Sequence, residues 1–80
     1  MWYVYILRCN DKTLYTGITT DIKRRVSEHN RGEGSKCTRV RIPVKLVYKE
    51  KLKTRSEASK REAAIKKLSR NKKLELIKNK

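Results

Sequence analysis

Residues 2–18, WYVYILRCNDKTLYTGI, decide the fold. Aromatic and β-branched side chains dominate residues 2–9, and this composition predicts a strand that is mostly buried on both faces. Residues 10–12 (NDK) have turn chemistry, and residues 13–18 predict a second strand. The chain is therefore expected to begin with an antiparallel hairpin.

The length of the predicted turn determines which residues of the hairpin face each other. If the loop consists of residues 10–12, Tyr5 lies opposite Gly17 and Leu7 lies opposite Tyr15. Side chains alternate between the two faces of a strand. Tyr5 and Tyr15 are therefore expected on the same face of the sheet.

A helix is predicted after the hairpin, with Thr20 or Asp21 as its N-cap and its end near Asn30. Its apolar residues define a stripe that packs on the sheet. At about 100° per residue, Arg25 and His29 fall within or beside that stripe. These two polar side chains are therefore expected to point toward the sheet rather than into solvent.

The rest of the chain predicts one more strand and two more helices. Residues 31–43 have the composition of an exposed basic loop, and residues 44–50 alternate as a half-buried third strand. Ser56 is predicted to cap the second helix, with Glu62 on its inner face, and Asn71 is predicted to cap the third. The apolar inner positions expected in these two helices are Ala58, Ile65, Leu68, Leu74 and Ile77.

Together these elements predict one small domain. The expected fold is α/β (α+β), a three-stranded antiparallel sheet flanked by helices in the order β-β-α-β-α-α. Eighty residues are enough for a single core. No repeat or linker divides residues 1–80.

The charge of the chain points to a polyanionic partner. Twenty-three Lys and Arg residues against eight Asp and Glu residues give a formal net charge of +15, which creates a strong positive field around so small a protein. Residues 41–80 carry fifteen basic and four acidic side chains. We therefore expect nucleic acid as the partner, contacted more heavily by the second half of the chain.

Several classes of protein are excluded by composition. The longest apolar run, residues 2–7, is far shorter than the roughly 20 residues that a membrane-spanning helix needs. No basic residue precedes this run and no small-residue cleavage site follows it, so no signal peptide is predicted. Cys9 and Cys37 lack metal-ligand spacing and are expected to be reduced thiols. We expect a cytoplasmic protein without a membrane partner.

Five side chains that the predicted fold can bring together have the chemistry for phosphodiester hydrolysis. A carboxylate can hold a hard divalent cation, an arginine and that cation can offset charge on the phosphorane, and a base can take a proton from water. The five side chains are Tyr5, Tyr15, Arg25, His29 and Glu62.

The order and spacing of these residues resemble those of the GIY-YIG nucleases. Residues 3–5 (YVY) match the first motif of that family and residues 15–17 (YTG) match the second, at the expected hairpin length. Arg25 and His29 match the arginine and histidine positions of the family, and Glu62 matches its metal-binding glutamate. The resemblance spans nearly the whole chain and is greatest to the small standalone bacterial members.

The resemblance implies a metal-dependent endonuclease that hydrolyses DNA. Either Tyr5 or Tyr15 would activate a water, Glu62 would bind Mg²⁺ or Mn²⁺, and Arg25 would stabilise the transition state. His29 would orient the base or take part in proton transfer. A free tyrosine has a pKa of about 10, so the basic tyrosine is expected to have a lowered pKa or to be helped by the metal.

The chain departs from the family pattern at three positions. Tyr3 replaces the leading glycine of the first motif and Thr16 replaces the isoleucine of the second, and both changes are expected to be tolerated by the fold. Ile18 stands where some members carry a lysine near the scissile phosphate. Either Lys23 or Arg24 supplies that charge, or weak activity is expected.

Four cations are expected to bind nucleic acid, with DNA favoured over RNA. Lys23 and Arg24 lie on the first predicted helix, and Arg39 and Arg41 lie in the predicted basic loop. A single candidate site in a monomer or weak dimer predicts nicking rather than cleavage of both strands. DNA repair or processing is the expected role.

The main alternative is a basic nucleic-acid-binding module without catalysis. In that case Tyr5 and Tyr15 are ordinary strand aromatics, and Glu62 forms a structural ion pair with Arg25 or Arg61. A further alternative is a ribosome-associated or chaperone-like RNA binder. The two main hypotheses differ in whether the protein cuts DNA and whether cleavage requires Glu62 and Arg25.

Overall fold

The computed structural model describes residues 1–79, so Lys80, the last residue of the predicted domain, lies outside the described residues. The elements are β1 (Trp2–Arg8), β2 (Leu14–Thr19), α1 (Ile22–Asn30), α2 (Lys36–Arg39), β3 (Lys45–Leu52), α3 (Arg55–Lys66) and α4 (Arg70–Lys78). The predicted α+β class and element order are confirmed, with the short helix α2 as an addition. Within residues 1–79, no helix has the length and apolar character that would let it span a membrane.

β1 is the central strand of a three-stranded sheet with the order β2-β1-β3. Both neighbours run antiparallel to it, and residues 4–7 of β1 are buried, as predicted. The predicted register of the hairpin is confirmed as well, because Tyr5 pairs with Gly17 and Leu7 pairs with Tyr15. The hairpin therefore places both tyrosines where the sequence predicted them.

Two apolar clusters pack on the sheet. The first contains the buried residues Val4, Ile6, Tyr48, Ala58 and Ile65, and α3 supplies the last two. The second contains the buried residues Tyr5, Leu7, Cys9 and Val44, with Ile22 and Val26 of α1 packed against them. Neighbouring residues of a strand point to opposite faces, so Tyr5 lies on the face that α1 covers.

Two helices begin earlier than predicted because other polar residues cap them. Thr54, rather than Ser56, caps α3: its hydroxyl accepts from the backbone N–H of Glu57, and the Glu57 carboxylate accepts from the backbone N–H of Thr54. This capping box satisfies two backbone donors at once. Ser69, rather than Asn71, caps α4.

β3 begins one residue later and ends two residues later than the predicted strand over residues 44–50. Val44 is not part of the ladder because its backbone N–H and C=O both bond to the side-chain amide of Asn30. At the other end, Trp2 of β1 pairs with Leu52 and extends the ladder.

The predicted inner positions of the last two helices are confirmed in part, because Leu68, predicted for α3, lies beyond the end of that helix at Lys66. Ala58 and Ile65 of α3 are fully buried. In α4 the prediction for Leu74 is wrong, since this residue is exposed, whereas Leu76 packs beside Ile77 against the first cluster. Leu76 and Leu74 lie about 200° apart around a helix, so only one of them can face the sheet.

Candidate active site

The phenol of Tyr5 lies over Gly17 of the neighbouring strand. A Cβ atom at residue 17 would lie 2.6 Å from the hydroxyl oxygen of Tyr5, which is too close for atoms that are not bonded. Because glycine has no Cβ, the phenol can occupy this space. Only 1% of the surface of Tyr5 is exposed, so its hydroxyl lies in a largely desolvated position.

Helix α1 brings a histidine to this phenol. Asp21, one of the two predicted caps, starts the helix by accepting from the backbone N–H of Arg24. His29, in the last turn, is fully buried, and its Nε2 lies 3.0 Å from the Tyr5 hydroxyl oxygen in a hydrogen bond. The prediction that His29 points toward the sheet is confirmed.

The other imidazole nitrogen of His29 is bonded to α2. Its Nδ1 lies 2.7 Å from Oγ1 of Thr38, which is also fully buried. A continuous polar chain, the Tyr5–His29–Thr38 chain, therefore links the sheet to α1 and α2. The sequence did not predict this third member.

Tyr15 completes a cluster of three rings. Its ring centroid lies 6.4 Å from that of Tyr5 and 5.2 Å from that of His29, and the contact with the imidazole is edge-on. Tyr15 is half-buried, whereas the other two rings are buried. Tyr15 is therefore the ring of the cluster that solvent reaches most easily.

Arg25 is held beside this cluster by two acceptors. Its Nη1 donates to the carboxylate of Glu28 and its Nη2 donates to the backbone carbonyl of Gly34, each at 3.0 Å. The side chain is 29% exposed, so the guanidinium is positioned by the protein and still reaches solvent. Its guanidinium lowers the pKa of Tyr5 in opposition to burial.

Glu62 lies on a partly buried side of helix α3. Its side chain is 23% exposed and its carboxylate lies 3.3 Å from Nζ of Lys66. Helix α3 packs against β1 and β2, and the charge of Glu62 contributes to the raised pKa of Tyr5. The carboxylate therefore belongs to the electrostatic environment of the phenol.

The alternative ion pairs proposed for Glu62 are wrong. Arg25 pairs with Glu28 at 3.0 Å. Arg61 pairs with Glu50, with its Nε 2.9 Å from the carboxylate. Among residues 1–79, the ion pair of Glu62 is with Lys66, one helical turn away, and such a pair contributes little to stability at a partly exposed site.

Of the two expected routes to a basic tyrosine, a lowered pKa and help from the metal, the lowered pKa does not apply to Tyr5. Burial raises its pKa to about 12, and the nearby Arg25 only partly opposes this, while Tyr15 and Glu62 add to the rise. Removing a phenol from water disfavours its charged form. At neutral pH Tyr5 is therefore protonated.

The imidazole beside Tyr5 is shifted toward its neutral form. Burial lowers the pKa of His29, and the positive charge of Arg25 lowers it further, against a smaller opposing effect of Glu28. The pKa of Arg25 is raised: burial lowers it, but the hydrogen bond to Glu28 and the nearby phenol outweigh that effect. The site therefore combines a fixed cation with a neutral proton acceptor.

The cations predicted to bind nucleic acid lie in two kinds of environment. Lys23, Arg24 and Arg39 are exposed, although Arg24 lies 3.8 Å from Glu28. Arg41 is less exposed, because its guanidinium donates to the carboxylate of Asp11 at 2.9 Å and to a carbonyl of α2 at 2.6 Å. Arg41 therefore connects the hairpin turn to α2.

The prediction of an exposed loop over residues 31–43 is wrong for its middle part. Ser35 caps α2, and Thr38 within this helix is fully buried. Gly34 lies so close to His29 that a Cβ there would collide with the imidazole ring. Ser35 is a favourable N-cap residue, but four helical residues are too few to show an apolar period.

A groove of the described residues lies elsewhere. It has a volume of about 520 Å³ and runs between α1 and β3, with Ile22, Val26 and Leu46 among its lining residues. None of the five predicted site residues lines it. Tyr15 instead lines a smaller groove together with Leu14 and Thr38.

Comparison with known proteins identifies relatives of nearly full length. A family model described as the GIY-YIG catalytic domain matches residues 1–75. The UPF0213 protein DP2720 of Desulfotalea psychrophila is 59% identical over 78 residues, covering 96% of this chain and 71% of that protein. The UPF0213 protein SSP2268 of Staphylococcus saprophyticus is 55% identical over 75 residues, covering 94% of this chain and 92% of that protein.

Solved structures share the fold. The solution NMR structure of the UPF0213 protein BH0048 from Bacillus halodurans has a TM-score of 0.65 and 46% identity, covering 100% of this chain and 86% of that one. The solution NMR structure of the protein EF2693 from E. faecalis has a TM-score of 0.64 and 48% identity, covering 96% of this chain and 82% of that one. Since the family model matches almost the entire sequence and the fold agrees, this chain belongs to the GIY-YIG family of nuclease domains.

Proposed function

We propose that this chain is a divalent-metal-dependent endonuclease that hydrolyses phosphodiester bonds of DNA and cuts one strand at a time. The observation that supports this most is the contact of the Tyr5 phenol with Tyr15 and with His29, which lie on two other elements. The centroids of these three rings lie within 6.4 Å of one another, and the charges of Arg25 and Glu62 act on the same hydroxyl. Such clusters of perturbed titratable groups are typical of active sites.

In the proposed reaction the phenol oxygen of Tyr5 takes a proton from the attacking water. Because the pKa of Tyr5 is raised to about 12, its own proton must leave as the new one arrives. Nε2 of His29 lies 3.0 Å away, and the lowered pKa of that imidazole keeps it neutral and able to accept. The water proton thus ends on Tyr5 and the phenol proton on His29. Tyr15 remains the alternative base.

Arg25 is proposed to bind the reacting phosphate. Charge develops on the non-bridging oxygens in the transition state, and a positioned guanidinium offsets it. The bonds of Arg25 to Glu28 and to the carbonyl of Gly34 hold the group before substrate arrives. A preorganised cation needs little rearrangement during the reaction.

Glu62 is the residue proposed to hold Mg²⁺ or Mn²⁺. Among residues 1–79 no three His, Cys, Asp or Glu side chains are grouped to hold a metal ion, so a closed all-protein site does not fit. A single carboxylate does fit Mg²⁺, which keeps several waters and is commonly bound by one or two carboxylates with substrate phosphates. When bound, the cation offsets negative charge on the phosphate.

The charge of the protein supports a nucleic-acid substrate. The net charge of +15 attracts a polyanion, and the exposed Lys23, Arg24 and Arg39 are proposed phosphate contacts. One such site per chain accounts for nicking by a monomer or weak dimer. A cytoplasmic role in DNA repair or processing is part of this proposal.

The test is cleavage of labelled duplex, single-stranded and branched DNA with Mg²⁺ or Mn²⁺. Glu62→Gln and Arg25→Ala should each lower the cleavage rate by at least about 100-fold and leave binding in EDTA nearly unchanged. Matched controls are Glu75→Gln and Arg70→Ala, at exposed positions of α4, which should retain activity. Undiminished cleavage by Glu62→Gln would refute the proposed role of that residue.

The competing function is binding without cleavage. It is favoured if the wild-type protein binds DNA but cuts none of the three substrates with any divalent cation. The strong positive charge alone suffices for that behaviour. An RNA-binding function is indicated instead if RNA displaces bound DNA at a far lower concentration than competing DNA does.

A further inference from the structure

Thr38 is the buried end of the Tyr5–His29–Thr38 chain, and its hydroxyl has two further partners, both in Ser35: the backbone carbonyl oxygen and Oγ, which lies 3.3 Å away. Oγ1 of Thr38 lies 2.7 Å from Nδ1 of His29 and 3.3 Å from the backbone carbonyl oxygen of Ser35, to which it donates. The backbone N–H of Thr38 donates to Oγ of Ser35. The hydroxyl is thus held in place by the first turn of α2.

The hydrogen atoms of this chain can be placed in two ways. In the first, Tyr5 donates to Nε2 of His29, Nδ1–H of His29 donates to Thr38, and Thr38 donates to the carbonyl of Ser35. In the second, Nε2–H donates to Tyr5 and Thr38 donates to Nδ1. Each arrangement contains one of the two tautomers of a neutral imidazole.

The second arrangement leaves a buried hydrogen without an acceptor. Within residues 1–79, His29 is the hydrogen-bond partner that the geometry gives to the hydroxyl of Tyr5. Arg25 beside the phenol can only donate, so it cannot receive the phenol hydrogen. An unpaired buried hydroxyl costs about 1–3 kcal/mol. The first arrangement satisfies every donor in the chain.

We propose that Thr38 is a positioning residue that holds His29 in the Nδ1–H tautomer and so makes Nε2 the acceptor of the Tyr5 proton. Gly34 leaves room for the imidazole, because a Cβ at this position would collide with the ring beside Nδ1. The phenol oxygen keeps its lone pairs for a proton from water. In its catalytic part this inference rests on the proposed function, but the tautomer does not.

The tautomer can be measured without any nuclease assay. The chain contains one histidine, so a long-range ¹H–¹⁵N correlation spectrum of the imidazole reports His29 alone. At a pH of about 8, above the ordinary histidine pKa of about 6.5, we expect a protonated, pyrrole-like Nδ1 and an unprotonated, pyridine-like Nε2. A wild-type spectrum with the proton on Nε2 overturns the proposal.

Two variants test the part played by the hydroxyl. Thr38→Val keeps the shape of the side chain but removes the acceptor, and it should shift His29 toward the Nε2–H tautomer. Thr38→Ser keeps the hydroxyl and should keep the wild-type spectrum. An unchanged tautomer in a folded Thr38→Val protein argues against Thr38 as its cause. If that variant loses α2, as judged from backbone amide spectra, the wild-type and Thr38→Ser spectra decide.

The effect of Thr38 on catalysis is tested separately, by the kinetics of DNA cleavage. Thr38→Val should lower kcat for DNA cleavage by about tenfold or more, with KM changed by no more than about twofold, and Thr38→Ser should restore kcat. Equal losses in both variants would indicate a merely structural role. If the wild-type protein cuts no DNA while the Nδ1–H tautomer is observed, the proposed function fails and the inference about Thr38 stands.

Discussion

The hydroxyl of Tyr5 occupies the space in which a side chain at Gly17 would begin, with the Cβ position 2.6 Å from the phenol oxygen and 2.8 Å from Cζ. Strand pairing places the two residues directly opposite each other, so neither can withdraw without disturbing the ladder. Gly32, not Gly17, is the glycine with a positive φ. Glycine at 17 is therefore required by its neighbour's side chain and not by its own backbone.

Gly17→Ala should destabilise the fold by about 1–3 kcal/mol, because the added methyl group displaces a buried phenol. Denaturant unfolding measures this change, and DNA cleavage should fall as well. Introduced into a Tyr5→Leu protein, the same substitution should cost much less, because the phenol is gone. An equal cost in both backgrounds would show that the two residues are not coupled.

Thr16→Val should stabilise the protein by about 1 kcal/mol. Within residues 1–79, Oγ1 of Thr16 is buried without a hydrogen-bond partner, and valine has nearly the same shape without the desolvated hydroxyl. The control is Thr19→Val, because the Thr19 hydroxyl accepts from the backbone N–H of Asp21 and its removal should destabilise. Thermal unfolding of both variants tests this contrast. A loss of stability in both would mean that Thr16 has a partner after all.

His29 should make stability depend on pH on the acidic side. In the unfolded chain its pKa is about 6.5, whereas burial lowers the pKa of the folded imidazole. The unfolded state therefore binds the proton first as pH falls. The contribution of His29 is fully present above about pH 6.5 and is lost below it, with a slope of at most about 1.4 kcal/mol per pH unit for one proton.

A His29→Gln variant separates this effect from that of carboxylates such as Asp11, whose pKa is lowered by Thr13. Denaturant unfolding of both proteins between about pH 5 and pH 8 should show the steeper slope in the wild type. Parallel pH profiles would mean that His29 keeps its ordinary pKa in the folded state.

Arg39 and Arg41 should behave differently although both lie in the region predicted as a basic loop. Arg39 is exposed and makes no ion pair with residues 1–79, so Arg39→Ala should reduce the salt dependence of DNA binding by about one unit of slope. Arg41→Ala breaks the bonds to Asp11 and to the carbonyl of Cys37 and should instead lower stability slightly. Affinity measured across a salt series, with unfolding of each variant, distinguishes the two roles. Identical salt slopes for wild type and Arg39→Ala would count against a phosphate contact.

The hairpin could be predicted because its determinants are local. Turn length and strand alternation between residues 2 and 18 were enough to place Tyr5 opposite Gly17. The orientation of His29 toward the sheet was predicted from helical periodicity. Each of these features depends on residues that lie close together in the sequence, so tertiary packing changed them little.

The rest of the site depends on contacts between distant segments. Thr38 is buried because α2 folds back onto His29, and no pattern within residues 31–43 indicates this. The pKa of Tyr5 is raised because burial outweighs the guanidinium of Arg25, a balance that can be judged only once the burial is known. The exposure of Leu74 likewise depends on how α4 docks against β3.

Because β1 is the central strand, the phenol of Tyr5 should move less than the residues of α2 that lie beyond His29. The amides and carbonyls of β1 bond to strands on both sides, so amide hydrogens of this strand should be among the last to exchange with deuterium. A four-residue helix such as α2 opens far more readily. Transient opening of α2 would therefore release the imidazole from Thr38 while the phenol stays in place and the sheet stays folded.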